Sequence, residues 1–412
     1  MSKNTLTIHR SADSIGGNCI ELSADGYRLL LDMGRPLDAP KGAVNLLPKT
    51  LDCCRPVDAI LVSHPHQDHY GLLDEVPRDW PVYCGEPTGK LMQLTLGIFG
   101  KGLSNPLHHW QSGKPFTIGP FTITPYLTDH SAFDAYMLQI DVGGKRIFYS
   151  GDFRLHGRKG VLVERLMANP PSPIDILLME GTNLDSDKHC ASEQELERDF
   201  ITLFRKTVGR VFVSWSAQNI DRTVTLFRAC KQTGRTLVVD LYTAEVMELL
   251  ARYNRIPAPD WEGVKVVITS GLARMYRKKG RDEFVTAMAK HGIAADDLNE
   301  NREKWVVMTR RSLLQDFTRK EIIPDANDAW SWGQWLGYLT EPDGRKLQEW
   351  FDAGGTPAHH IHTSGHASMS DLREFARRMN PKQLVPIHGV KWDEAEGFPN
   401  LLRLRDGESW SV

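Results

Sequence analysis

The six positions from His64 to His69 (His-Pro-His-Gln-Asp-His) hold four side chains able to bind a metal ion. In extended backbone, residues two apart point the same way, so His64 and His66 can share one ion. Pro65 helps to hold that stretch extended through its fixed φ. Asp68 and His69 lie past a bend and can reach a second ion. Imidazole nitrogen and carboxylate oxygen without thiolate suit zinc, with manganese or iron as alternatives. Two adjacent ions acidify a bound water and neutralise developing negative charge, which is hydrolytic chemistry. A polar surface loop with coincidental histidines is the competing reading, and so specific a string argues against it.

Two ions need more ligands than this loop supplies. His130 would give the first ion a third histidine, Asp152 is the natural bridging carboxylate, and His388 would cap the second ion. Asp32 is better suited to orienting a metal-bound histidine from behind, as carboxylates commonly do.

These residues share a placement. Apolar runs of strand length precede them: Tyr27 to Leu31 before Asp32, Ala59 to Val62 before His64, Phe121 to Leu127 before His130, Arg146 to Tyr149 before Asp152, Ile174 to Met179 before Glu180, and Gln383 to Ile387 before His388. Strand ends of α/β sheets gather at one edge, where ligands bind. Asp, His and Ser also favour strand ends as turn residues, but six positions of metal-ligand chemistry predict one shared site.

Beyond about residue 195 the rhythm becomes strand-helix alternation, with runs at 211–214, 236–240, 264–269 and 305–309 separated by helical patterns, which predicts a parallel α/β sheet. A strand-like run at 359–363 and a helix from Asp371 to Met379 precede the last strand. The 412 residues suggest two domains or one domain with a large insertion. Hydrophobic residues at 41% and charged residues at 25% are ordinary globular composition. A net charge of -2 means that a polyanion would need a local basic patch. No apolar run approaches the roughly 20 residues of a membrane span, and the N-terminus carries no apolar signal core. Six scattered cysteines without a C-x-x-C pair read as reduced thiols, so a cytoplasmic protein without a membrane partner is expected.

The H-x-H-x-D-H string, the Asp32 strand end, Thr128-Asp-His130, Ser150-Gly-Asp152 and His388 together resemble the metallo-β-lactamase fold. That resemblance implies an αββα sandwich with a two-metal site at one edge. Three further motifs are similar to those of the β-CASP nucleases, the group that includes ribonuclease J: Glu180-Gly-Thr-Asn183, Thr363-Ser-Gly-His-Ala-Ser368 and Pro386-Ile-His-Gly389. Ser216-Ala-Gln-Asn-Ile-Asp-Arg222 also resembles a stretch of the ribonuclease J insertion. The implied fold is an α/β protein: a metallo-β-lactamase domain at 1–195 and 356–412, interrupted by a parallel α/β β-CASP domain at 196–355.

The resemblance implies two zinc ions (or manganese) and a metal-bridging hydroxide attacking a phosphodiester. The metal ligands would be His64, His66, Asp68, His69, His130, Asp152 and His388. Asp68, His366 and Glu180 would be catalytic, with Glu180 holding His366 in its useful tautomer so that it contacts the phosphate or protonates the leaving oxygen. Ser364, Gly365 and Ser368 could cradle a phosphate. Ser368 is equally a helix N-cap candidate. A histidine at position 388 goes with RNA-cleaving members, so RNA is favoured over DNA as the partner; a second copy of the chain, forming a homodimer, is also a candidate.

Some features depart from that group. The usual Gly-rich loop late in the insertion is replaced by Met308-Thr-Arg-Arg-Ser-Leu-Leu314. Trp330, Trp332, Trp335 and Tyr338 could stack bases or pack a seam between domains. The basic run Arg274 to Arg281 could track a phosphate backbone or simply be a solvated helix start. A DNA exonuclease or repair nuclease, a small-molecule or thioester hydrolase, and a degenerate non-catalytic binding module are the competing functions.

Overall fold

The computed structural model describes residues 4–40, 42–186 and 189–412. Contacts divide the chain into two compact units: Met1–Cys190 with Gly365–Val412, and Ala191–Ser364.

The first unit is built on two mixed sheets. Its seven-stranded sheet runs Ser409–Ser411, Thr5–Arg10, Cys19–Ala24, Tyr27–Leu31, Ala59–Leu61, Val82–Gly85 and Leu107–Trp110. Its six-stranded sheet runs Gln383–Pro386, Ile176–Met179, Lys145–Tyr149, Ala135–Val142, Phe121–Thr128 and Phe116–Ile118. Strand periodicity explains the layering, because successive side chains leave opposite faces. Leu29 and Leu31 enter the core shared with the other sheet, where Ile176, Leu178 and Val385 meet them. Leu30 and Ile60 point the other way, into a core with Met92 and Leu96 of the helix Glu86–Phe99. Leu177 and Met179 likewise face Val163 of the helix Gly160–Ala168. They also face Leu372, Phe375, Ala376 and Met379 of the helix Met369–Met379, whose spacing is one apolar helical stripe. Strands whose two faces are both buried need continuous apolar runs, and these have them. The result is the expected αββα sandwich.

The second unit carries a six-stranded sheet in the order Val264–Val267, Thr236–Asp240, Trp305–Met308, Val211–Ser214, Ala329–Trp332, Ala358–His360, with every neighbouring pair parallel. Strand-helix alternation gives this arrangement because parallel neighbours need crossover connections. Ala329–Trp332 is a strand whose residues are all buried, so Trp330 and Trp332 are core residues and cannot form a base-stacking platform. Trp335 and Tyr338 remain exposed, at 63% and 40%. The basic run around residue 276 lies on the helix Ser270–Lys278, which buries Tyr276 completely. Among the described residues, no helix is long and apolar enough to cross a membrane.

Candidate metal centre

All six residues expected at strand ends are found there. Asp32 and His64 leave the neighbouring parallel strands Tyr27–Leu31 and Ala59–Leu61. Glu180 and His388 follow Ile176–Met179 and Gln383–Pro386, which run parallel to Lys145–Tyr149, the strand before Asp152. Phe121–Thr128, leading to His130, has the same direction because the strand between it and Lys145–Tyr149 is antiparallel to both. Their carboxyl ends therefore open on one edge. Three turns at this edge have positive φ: Asp32 at 61°, Gly151 at 50° and His388 at 47°. Such backbone is costly outside glycine and collects at functional sites.

The loop with the four ligand-type residues is bolted to the segment after Asp32. Met33 N donates to His69 O at 2.8 Å, Arg35 N to Gln67 O at 2.9 Å, and Asn18 N to Asp68 O at 3.1 Å. Gln67–Tyr70 forms a single helical turn that carries Asp68 and His69, with His66 in extended backbone at its N-terminal boundary. Gly34 lies so close beneath this turn that a Cβ there would be 1.6 Å from Asp68 O.

Two groups of donor atoms converge. In the first, His64 Nε2 and His130 Nε2 lie 3.2 and 3.1 Å from the same atom, His66 Nδ1. One ring proton cannot satisfy both contacts. With zinc–nitrogen bonds of about 2.0–2.1 Å, tetrahedral ligand nitrogens stand roughly 3.3 Å apart, close to what is seen. Burial pushes all three imidazoles down, His66 to about 4, which keeps them neutral and their lone pairs available.

The second group is Asp68, His69, Asp152 and His388. Asp152 Oδ2 lies 3.0 Å from His69 Nε2 and 3.7 Å from His64 Nε2, so it faces both groups. His388 Nε2 and Asp152 Oδ1 are buried and have no hydrogen-bond partner among the described residues. Buried polar atoms are rarely left so, and a cation between them would satisfy both. The donor set thus fits metal ions.

The opposite ring nitrogens are anchored. His69 Nδ1 donates to Asp32 Oδ2 at 2.6 Å, His130 Nδ1 to Gly365 O at 2.5 Å, and His388 Nδ1 contacts Asn18 Oδ1 at 2.8 Å. Ser63 Oγ contacts His64 Nδ1 at 3.1 Å and donates to Asp32 Oδ2 at 2.9 Å. Anchoring one nitrogen fixes which one is presented to the cluster. Asn18, Ser63 and Tyr149, whose hydroxyl donates to Asp32 Oδ2 at 2.5 Å, escaped the sequence reading. Their signals were slight: a polar residue after Gly16-Gly17, a serine before a histidine, and the last residue of an apolar run.

Beside the cluster, His366 Nδ1 lies 3.0 Å from Glu180 Oε2 and 3.8 Å from Asp152 Oδ2. Glu180 is fully buried and also accepts from Phe153 N at 3.1 Å and Thr182 N at 3.2 Å. Burial opposes protonation of His366, but the Glu180 and Asp152 carboxylates outweigh it and raise the imidazole to about 9. Asp152, Glu180 and His366 form a third group that could hold a cation. Ser368 is the N-cap of Met369–Met379, with its hydroxyl accepting from Asp371 N at 3.1 Å in a capping box. Ser364 is the last residue of the second unit.

Comparison with known proteins decides the family. A model described as a beta-lactamase superfamily domain matches residues 27–239. The chain belongs to the metallo-β-lactamase superfamily. A second model, described as a Zn-dependent metallo-hydrolase RNA specificity domain, matches residues 357–411, which include His366 and His388. Ribonuclease J of Helicobacter pylori is 24% identical over 397 residues, 91% of this chain and 54% of that protein. Ribonuclease J of Sinorhizobium meliloti is 22% identical and covers 86% of this chain and 63% of its own. An RNase J-like protein of Methanocaldococcus jannaschii is 27% identical, with 93% and 84% covered. The chain thus spans little more than half the length of the Helicobacter pylori protein. The crystal structure of a protein of unknown function from Enterococcus faecalis V583 superposes with a TM-score of 0.80 at 19% identity, covering 100% of both chains. Within the superfamily this chain is of the ribonuclease J-like, β-CASP kind.

Proposed function

We propose that this chain is a two-zinc phosphodiesterase that cleaves RNA, with Ala191–Ser364 as the β-CASP insertion of an otherwise continuous metallo-β-lactamase domain. One observation carries the reading. Asp152 Oδ2 stands within 3.8 Å of His64 Nε2, His69 Nε2 and His366 Nδ1, so two ligand groups and the Glu180-held histidine meet at one carboxylate. His64, His66 and His130 would hold one ion; Asp68, His69 and His388 would hold the other; Asp152 would serve both. Bound zinc supplies Lewis acidity and a water that loses its proton near neutral pH.

The protein's own part is positioning and proton handling. Asp32, Gly365 O and Asn18 hold ring nitrogens of His69, His130 and His388 so that the other nitrogens converge without reorganisation. Glu180 accepts the Nδ1 proton of His366 and thereby turns Nε2 outward as the atom that meets a phosphate oxygen or the leaving oxygen. The Gly365 carbonyl ties this segment to His130, so phosphate-contacting and ligand residues move as one piece. Relatives named ribonuclease J, and a C-terminal match described as an RNA specificity domain, favour RNA over DNA or a small ester.

The test is elemental analysis of the purified protein, followed by digestion of linear 5′-monophosphate RNA, 5′-triphosphate RNA, circular RNA and matched DNA. Two bound ions and RNA cleavage leaving 5′-phosphate ends are expected. His64→Ala should lose metal and activity, whereas His366→Ala should lose activity and keep both ions. Failure on every nucleic acid would sink the proposal, and preference for DNA would move it to the repair branch.

A further inference from the structure

Asn18 has every polar group of its backbone and side chain engaged at the floor of the metal centre. It is fully buried, its backbone N–H holds Asp68 O, and its carbonyl accepts from Gly34 N at 2.8 Å. Gly16 and Gly17, with φ of 78° and 73°, form the turn that brings it there. Its side chain lies between His388 Nδ1 at 2.8 Å and the Tyr149 hydroxyl at 3.1 Å. Tyr149 in turn meets Asp32 Oδ2, which also takes the His69 proton at 2.6 Å.

The direction of each hydrogen bond in this chain follows from its Asp32 end. An ionised carboxylate only accepts, so Tyr149 must donate to it. The Tyr149 oxygen is then an acceptor for Asn18 Nδ2, which turns Asn18 Oδ1 toward His388. A carbonyl oxygen facing His388 Nδ1 requires that nitrogen to carry the proton. The lone pair is thereby left on Nε2, the buried atom without a partner. The same chain at its other end leaves the lone pair of His69 on Nε2. Two imidazoles of one ligand group are thus set by a single polarised relay: His388, Asn18, Tyr149, Asp32, His69. His66 and His130 lie outside it, and His64 touches it only through Ser63.

We propose that Asn18 is the positioning residue of the Asp68–His69–Asp152–His388 ion, and that the Asn18–Tyr149 relay sets the affinity of that ion separately from the His64–His66–His130 ion. The inference rests on the two-metal reading above. Partners that orient metal-ligating histidines typically affect affinity by about 10–100-fold. Asn18→Leu removes both side-chain hydrogen bonds at similar volume. Asn18→Asp keeps an acceptor for His388 Nδ1. Tyr149→Phe cuts the relay one step further away and leaves the ring in place.

The experiment measures zinc per chain by elemental analysis after dialysis against a graded chelator, with unfolding of the chelated proteins recorded alongside. Wild type should retain two ions. Asn18→Leu should lose one of them at about 10–100-fold lower chelator concentration while keeping the other at wild-type strength. Asn18→Asp should restore most of the loss, and Tyr149→Phe should weaken the same single ion. Two ions held with unchanged affinity in Asn18→Leu and Tyr149→Phe, or both ions lost in parallel, would overturn the assignment. A wild type that binds no ion would instead refute the metal reading itself. If Asn18→Leu does not fold, Tyr149→Phe alone decides between these outcomes.

Discussion

His362 should make the second unit sensitive to acid, and the size of the effect can be worked out. Burial and the nearby Arg222 guanidinium pull its imidazole down to about 3, against the weaker pull of the Gly333 carbonyl, to which Nδ1 donates at 3.1 Å. Glu193 and His360 also act on it, raising and lowering it respectively. The unfolded imidazole titrates near 6.5. Between those two values the unfolded chain binds the proton and the folded chain does not, so stability rises with pH there and is lost as pH falls below about 6.5. Linkage gives a loss of about 2 kcal/mol on going from pH 7 to pH 5, rising to about 4 kcal/mol at pH 3. Asparagine at this position can still donate to Gly333 O but does not titrate. Urea denaturation of chelated wild type and His362→Asn at pH 7 and pH 5 is the assay. The wild type should fall by about 2 kcal/mol more than the variant, because all other titrations cancel in the difference. His362→Asn can be less stable at pH 7 and still have the flatter profile. Parallel profiles would refute the reasoning, since they would mean that His362 is protonated equally in both states.

Two further expectations concern packing. Gly34→Ala would place a methyl carbon 1.6 Å from Asp68 O and 2.8 Å from Asn18 N, both backbone atoms that no rotamer change can move. It should cost about 3 kcal/mol or more and lower zinc content, measured by thermal unfolding and elemental analysis. Gly97→Ala meets nothing within 4 Å and lies within the helix Glu86–Phe99, so the same chemical change should stabilise by roughly 0.5–1 kcal/mol. A destabilised Gly97→Ala would show that the contrast has been drawn wrongly. In the second unit, Asp328 accepts from Arg210 Nη2 at 2.9 Å and Arg302 Nη2 at 2.7 Å, with the Arg210 and Asp328 side chains fully buried. Asp328→Ala should cost about 3–5 kcal/mol by stranding the guanidinium, while the double replacement Arg210→Met with Asp328→Ala should recover much of it.

The candidate ligands His64, His130, Asp152 and His388 were legible because each is a chemically distinctive residue shortly after an apolar run of strand length, and a strand lies at each of those runs. Periodicity also gave the parallel sheet of the second unit, with Val211–Ser214, Thr236–Asp240 and Val264–Val267 lying within the expected runs. What stayed hidden was whatever depends on contacts between residues distant in sequence. Asn18 and His388 are 370 positions apart, and nothing local marks an asparagine as the partner of a remote histidine. Tyr149 looks like an ordinary end to the run Arg146 to Tyr149, although its hydroxyl reaches Asp32 across the space between the two sheets. Trp330 and Trp332 stayed open between stacking and packing for a different reason. A tryptophan cluster suggests a surface for stacking, but aromatic side chains are also the largest contributors to a core. Only their pairing with Phe212 and Ser214 in a central strand settles which applies.

The strained positions explain how a sheet edge gathers this cluster of candidate metal ligands. Alternation along a strand sends side chains to the two faces of the sheet, toward the apolar cores, and not toward the edge. A residue that must point along the edge has to leave the strand conformation immediately. Asp32 and His388 do so by adopting left-handed backbone at 61° and 47°, each at a cost of order 1–3 kcal/mol. That conformation persists because the surroundings hold it. Asp32 N donates to Leu61 O at 3.0 Å, its carboxylate accepts from Ser63, His69 and Tyr149, and His388 N donates to Ser11 O at 2.8 Å. The hydrogen bond that orients the His69 imidazole is therefore also one of those that hold Asp32 in its left-handed turn. Strain and ligand geometry are one arrangement. A substitution that relaxes either turn should consequently reduce metal affinity even where the ligand side chain itself is retained.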